Sequence, residues 1–208
     1  MSLRKWYLLL VALIVMGSAK AALVQVGFDS LSDGDAMSNQ VSGLAFTNAQ
    51  VLSAGLSLNE FEFPPRSDAN VLTDVGGAVL VDFLSPVFAV GGYFTYLTPL
   101  TFSAYDSAHA LIGSVVSAYS SNLAISGDPG SSPNEFLGVS TTVPISQIMI
   151  LGDPFGFSFV MDDLIYNTER AVRDVSEPWV LYLLLTALGM LAMTKHRRYP
   201  WGLGTVDR

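Results

Sequence analysis

Leu100-Thr101-Phe102-Ser103-Ala104-Tyr105 alternates Leu100, Phe102 and Ala104 with Thr101, Ser103 and Tyr105. A period of two sends successive side chains to opposite faces of a pleated strand. The pattern recurs on both sides of this stretch. Val79, Val81 and Phe83 alternate with Leu80 and Asp82, and Phe157, Phe159 and Met161 alternate with Ser158 and Val160. Further strands are expected at 24–28, 44–47, 87–96, 111–116, 137–141 and 147–151. Turn signals separate them at Ser85-Pro86, Thr98-Pro99, Asp128-Pro129-Gly130 and Asp153-Pro154. No part of the body sustains a 3.6-residue apolar stripe over three turns. About nine strands in residues 22–168 predicts an all-β domain, a jelly-roll β-sandwich. A core of that size stands without disulfides, and the chain has no cysteine.

The two ends have a different character. Arg4 and Lys5 precede an apolar run from Leu8 to Met16, followed by Gly17, Ser18 and Ala19-Lys20-Ala21. A charged start, a short apolar stretch and small residues at A-x-A spacing read residues 1–21 as a signal-peptide helix. That run is too short to span a bilayer. Residues 169–178 are polar and read as a linker. Residues 179–198 comprise an uncharged apolar run from Trp179 to Thr194 and a basic stop at Lys195, His196, Arg197 and Arg198. At about 1.5 Å per residue the run reaches about 24 Å, against a hydrocarbon core of about 30 Å. The basic stop assigns a single transmembrane helix with its C-terminal side in the cytoplasm, leaving 199–208 as a tail. The competing reading is a buried helix of the globular domain.

Val175-Ser176-Glu177-Pro178, the apolar helix and the Lys195, Arg197, Arg198 end together resemble a PEP-CTERM sorting signal. Glu177 and Pro178 match its short motif, Ser176 stands where that motif has its first proline, and the tail runs on past Arg198. The resemblance implies export in a Gram-negative bacterium and an inner-membrane-anchored precursor. It also implies processing by an exosortase and residence in the cell envelope, surface or extracellular matrix, in association with exopolysaccharide.

The whole chain carries a formal charge of −8. Between residues 22 and 178 there are 17 acidic residues against Arg66, Arg170 and Arg173, and no lysine. Such a body repels polyanions, so nucleic-acid binding is excluded. Its carboxylates supply hard oxygen ligands of the kind Ca²⁺ takes. Asp29 follows the first expected strand, and Asp162 and Asp163 close the last. They converge if those two strands pair, although consecutive residues of an extended strand point to opposite faces. Asp33-Gly34-Asp35 lacks the glutamate an EF-hand requires. Solvated loop acids are the plainer reading. The Phe28-Asp29 opening and Asp162-Asp163-Leu164 closing also resemble exported sandwiches of the galactose-binding-like class. That resemblance implies a structural calcium near the termini and carbohydrate binding.

Asn59-Glu60-Phe61 and Asn134-Glu135-Phe136 repeat one tripeptide in loops rich in Ser, Pro and Gly. Asn and Glu offer donors and acceptors suited to sugar hydroxyls, and rigid sandwiches carry binding groups on their loops. The alternative is loop anchoring, with the phenylalanines in the core. Tyr93, Tyr96, Tyr105 and Tyr119 lie on or near expected strands, where a ring can stack on a sugar or serve as half-buried strand filler. Tyr96 and Tyr105 join Asn59, Glu60, Asn134 and Glu135 as candidate ligand-binding residues. All three tryptophans lie outside residues 22–168. No G-x-S-x-G elbow, H-E-x-x-H or phosphate-binding glycine loop is present, and His109 is the body's one histidine, expected in an exposed hairpin turn. The expected function is therefore a non-catalytic, exported glycan-binding module. A purely structural matrix component or protein-binding adhesin is the alternative, and a glycoside hydrolase built on Glu60, Glu62 or Glu135 comes last.

Overall fold

The computed structural model describes residues 23–168. The signal peptide, linker, transmembrane helix and tail, with Glu177, Pro178, Lys195, Arg197 and Arg198, lie outside the described residues. Nine strands follow in order: β1 (Leu23–Val26), β2 (Leu44–Thr47), β3 (Ala49–Ser53), β4 (Asn70–Asp74), β5 (Val79–Tyr96), β6 (Thr101–Tyr105), β7 (Leu111–Val116), β8 (Glu135–Leu151) and β9 (Phe159–Asn167). There is no helix among the described residues.

All strands are antiparallel and join in one hydrogen-bonded order, β3-β4-β9-β5-β8-β6-β7, with β1 on β9 and β2 on β5. Two long strands fold that order into a sandwich. The first half of β5 pairs with β2 and with the end of β8, and its second half pairs with β9 and with the start of β8. Register breaks between Asp82 and Val87 and again before Ala89, where β8 passes from Ile145 to Ser140. Pro86 and Pro144 sit at that break, since a residue without an N–H is tolerated where the ladder is interrupted. One layer is then β2-β5-β8-β6-β7, and the other is β4-β9-β5-β8 with β1 and β3 alongside.

The core lies between the layers. Phe94 of β5 packs edge-on to Phe102 of β6 with ring centroids 6.0 Å apart, and tilted against Phe159 of β9 at 6.1 Å. Val79, Val81, Ile145, Ile148, Ile150 and Met161 are buried beside them. Burying a side chain of this size contributes about 1.5–3 kcal/mol, so the core rests on many such residues.

Several expected boundaries are corrected. The strands expected at 79–83 and 87–96 are one bent strand, as are 137–141 and 147–151, because a break in pairing does not end the extended chain. β1 stops at Val26, and the last strand runs to Asn167 rather than Met161. Strands β3 and β4 were not foreseen. Every residue of β4 is buried, so Asn70-Val71-Leu72-Thr73-Asp74 shows no alternation. The hairpin around His109 is as expected, with His109 exposed in a left-handed conformation.

Candidate functional site

β1 pairs with β9 through Leu23–Asn167 and Val26–Leu164, so the first and last strands do meet. Asp29, Asp162 and Asp163 converge on one segment, residues 66–70. Asp29 Oδ1 accepts from Ala69 N and Asn70 N, both at 3.0 Å. Asp162 Oδ2 accepts from Arg66 N at 2.9 Å and Ser67 N at 2.8 Å. Asp163 Oδ1 accepts from Gln25 Nε2 at 2.8 Å and Ser67 Oγ at 3.2 Å, and its Oδ2 pairs with the Arg66 guanidinium. The acids lie within β9 rather than at its end. Asp163 takes a positive φ of 52°, and the register shifts between Gly91 and Tyr93. That bulge cancels the alternation expected of consecutive residues and turns both carboxylates toward the same loop.

Burial raises the Asp162 carboxyl above its ordinary range; the amides of Ser67 and Arg66 oppose this, and the charge of Asp163 adds to it. The donor set does not fit Ca²⁺ as arranged. Oxygens facing N–H groups and a guanidinium are not a converging set of free ligands. Among the described residues no group of three or more His, Cys, Asp or Glu is placed to hold a metal ion.

The loops that carry the repeated tripeptides are tied together through polar atoms. Asn134 Nδ2 donates to Pro64 O at 3.2 Å, joining the two loops. Glu62 Oε2 accepts from Ile125 N at 3.0 Å and Ser126 N at 3.2 Å, and the Ile125 amide is the main cause of a lowered Glu62 pKa. Glu135 accepts from the Tyr96 hydroxyl and from Ala118 N at 3.0 Å. Tyr96 is fully buried and its hydroxyl is pushed up to about 12, by burial first and then by the hydrogen bond to Glu135. Its ring therefore belongs to the core and offers no face to a sugar. Asn59 and Glu60 stand on the outer loop, where the Asn59 carbonyl accepts from Glu62 N and Phe63 N. Tyr105 is half-buried at the end of β6. The six candidate ligand residues thus do not form one surface.

A different group does. On the face of β9-β5-β8 turned away from the core, Tyr93 of β5 lies opposite Phe136 of β8, with ring centroids 5.2 Å apart. Gly91 lies opposite Gly138 two pairs further along. The Phe136 ring rests across these glycines. A Cβ on Gly91 would come within 2.5 Å of Phe136 Cζ and 2.7 Å of the Leu137 carbonyl oxygen. Phe136 nevertheless remains 52% exposed. Arg66 caps the other side of Tyr93, its guanidinium carbon 3.6 Å from the ring centroid. Beyond Phe136 lies an apolar trough of about 260 Å³ lined by Leu23, Ala89, Gly91, Gly138 and Ile165. Arg66, Tyr93, Phe136 and the trough form one continuous row.

Reasoning from the sequence missed this row because its members lie on five separate segments. Two local signals pointed to it. Gly91-Gly92 inside an apolar strand marks a close approach, and Phe136 belongs to the repeated tripeptide. The row offers stacking surface and one cation already paired with Asp163. It holds no pair of free carboxylates flanking a cleft.

No protein-family profile and no curated protein matches the chain. Solved structures do resemble it at low identity. The K2 cleaved adhesin domain of Lys-gingipain matches at 9% identity over 70% of this chain and 99% of that one, with a TM-score of 0.44. CBM29_1, a family 29 carbohydrate-binding module from Piromyces equi, matches at 13% identity over 76% and 98%, with a TM-score of 0.39. The arabinose-bound α-L-arabinofuranosidase MgGH51 matches at 10% identity over 73% of this chain and 27% of that one, with a TM-score of 0.43.

Proposed function

We propose that this protein is an exported, non-catalytic β-sandwich of jelly-roll type that holds a neutral glycan along the Tyr93–Phe136 row. Delivery runs through the PEP-CTERM-like signal and its exosortase to the cell envelope or matrix, where exopolysaccharide is the ligand pool. The observation that carries the glycan reading is the half-exposed Phe136 ring, held against Gly91 and Gly138 beside Tyr93 and the trough. A ring fixed in this way presents its face with little rotamer entropy left to lose, which suits the apolar C–H face of a sugar. Charge narrows the class. Residues 23–168 contain 14 acidic residues and one basic residue, Arg66, which is already engaged by Asp163. Uronate-rich, sulfated or phosphorylated polymers are repelled by such a surface, and neutral polymers are not.

Affinity electrophoresis of the full-length chain in mild detergent tests this reading. The gels contain either a neutral or a uronate-rich polysaccharide. Retardation by the neutral polymer that is lost in Phe136→Ala and Tyr93→Ala is the expected result. Equal mobility in all gels, or retardation indifferent to both substitutions, rejects it.

A further inference from the structure

Arg66 and Phe136 both rest against Tyr93, and the segments that carry them are tied together. The Arg66 guanidinium carbon lies 3.6 Å from the Tyr93 ring centroid, and the Phe136 ring lies 5.2 Å from it at an interplanar angle of 60°. Pro64 O, two residues before Arg66, accepts from Asn134 Nδ2, two residues before Phe136, at 3.2 Å. Asp162 Oδ2 holds the backbone N–H groups of Arg66 and Ser67 at 2.9 and 2.8 Å. Pro64 and Pro65 stiffen the approach, since each pyrrolidine ring locks its own φ. An arginine placed in this way has little freedom left to lose on meeting a ligand.

The guanidinium is only partly used. Nη1 donates to Asp163 Oδ2, and that pairing offsets its charge locally. Nε and Nη2 have no hydrogen-bond acceptor among the described residues, and the side chain is 37% exposed. Those two nitrogens share one edge of the guanidinium plane. Their N–H bonds run parallel and suit two neighbouring oxygen acceptors. The side chains of Leu23, Ala89 and Ile165, which line the trough, offer a sugar's hydroxyls no hydrogen bond. The Arg66 edge supplies the polar contact that this apolar surface lacks.

We propose that the Nε–Nη2 edge of Arg66 donates to two adjacent hydroxyl oxygens of the neutral glycan, so that Arg66 selects sugars carrying a vicinal pair. The proposal rests on the glycan reading of the Phe136 row. A carboxylate and a vicinal diol both present two acceptors to such an edge. Charge decides between them. Arg66 is already paired with Asp163 and is the one basic residue against 14 acidic ones in residues 23–168, so a uronate meets net repulsion and a hydroxyl pair does not. Lysine at this position would keep the charge and lose the selectivity, because an ammonium is a point donor without a planar edge.

The full-length chain in mild detergent is run by affinity electrophoresis through three kinds of gel. One contains soluble galactomannan, whose β-1,4-linked backbone units keep adjacent hydroxyls. The second contains soluble β-1,3-glucan, whose internal units keep none, and the third contains a polyuronate. The wild type binds galactomannan at least about fivefold more tightly than β-1,3-glucan, and Arg66→Lys brings the two affinities together. A merely structural loss at Arg66 weakens both polymers alike and leaves their ratio unchanged, so the ratio separates recognition from support of the fold. The proposal is overturned by a wild-type ratio below about fivefold, which needs no variant, by a ratio that Arg66→Lys leaves unchanged, or by a preference for polyuronate over galactomannan. Equal retention by both neutral polymers that is lost in Phe136→Ala overturns this proposal and leaves the glycan reading in place. No retention in any gel overturns both.

Discussion

Phe136→Ala separates folding from binding, because the Phe136 ring faces the protein with one side and solvent with the other. A phenylalanine can bury about 200 Å², and Phe136 is 52% exposed, so about 100 Å² already lies against Gly91, Gly138 and Tyr93. At about 25 cal/mol per Å² that contact is worth at most about 2.5 kcal/mol. The ring lies on the outer face, so its removal leaves no internal cavity, and the expected destabilisation is about 1–2 kcal/mol. The remaining area of about 100 Å² is what a sugar face would cover. Ordering costs lower the same ceiling to about 1–2 kcal/mol, roughly a 5- to 30-fold loss of affinity. Urea unfolding gives the first quantity, and isothermal titration with a neutral oligosaccharide gives the second. A folded Phe136→Ala protein that binds within twofold of wild type would refute the placement of the site. A loss of stability above about 4 kcal/mol would refute the claim that the ring lies outside the core.

Arg66→Gln removes the cation from Asp163, which keeps Gln25 and Ser67 as donors. Because Arg66 is itself 37% exposed, the expected loss is about 1–3 kcal/mol, read from the urea midpoint. Asn122→Ala is costlier. The fully buried Asn122 accepts from Tyr96 N at 2.6 Å and donates to Phe94 O at 2.9 Å and Ser132 O at 3.0 Å, so about 2–4 kcal/mol should be lost and the 117–134 loop should become protease-sensitive. Burial raises the carboxyls of both Asp74 and Asp162 above the ordinary value of 3.8. Their contribution is fully present below that value and is lost as pH rises through the higher folded-state values. The contribution of these two groups to the melting temperature should therefore grow as pH falls through their raised values toward 3.8, and Asp162→Asn should flatten that slope. Adding Ca²⁺ or a chelator should leave the melting temperature unchanged, and a calcium-dependent rise of several degrees would show that Asp29, Asp162 and Asp163 rearrange to bind the ion.

The strand content was legible in the sequence because alternation is a local signal. Val79 to Phe83 and Leu100 to Tyr105 show it over a few residues; the first proves to be strand with one buried face, and in β6 the intervening Ser103 is buried as well. β4 gave no such signal, because a strand buried on both faces loses the alternation that identifies it. The bends of β5 and β8 were read as ends, because Ser85-Pro86 interrupts pairing whether or not the strand continues.

The candidate site was less legible still. Composition alone set the acidic character of residues 22–168, ruled out cysteine chemistry and restricted histidine to His109. Those properties follow from counting and do not depend on where any side chain lies. Which carboxylates face a donor, and which aromatic ring reaches solvent, depends on register. Tyr93 meets Phe136 because β5 and β8 pair at that register, and Arg66 reaches Tyr93 because the bulge at Asp163 draws in its loop. Tyr96, three residues from Tyr93, lies on the opposite face of the same strand and is fully buried. A shift of one residue would have exchanged their surroundings, since the side-chain period of a strand is two. The sequence by itself determined that the protein is a strongly acidic, β-rich body. Only strand pairing, acting across residues far apart in the chain, decided which of its aromatic rings faces outward.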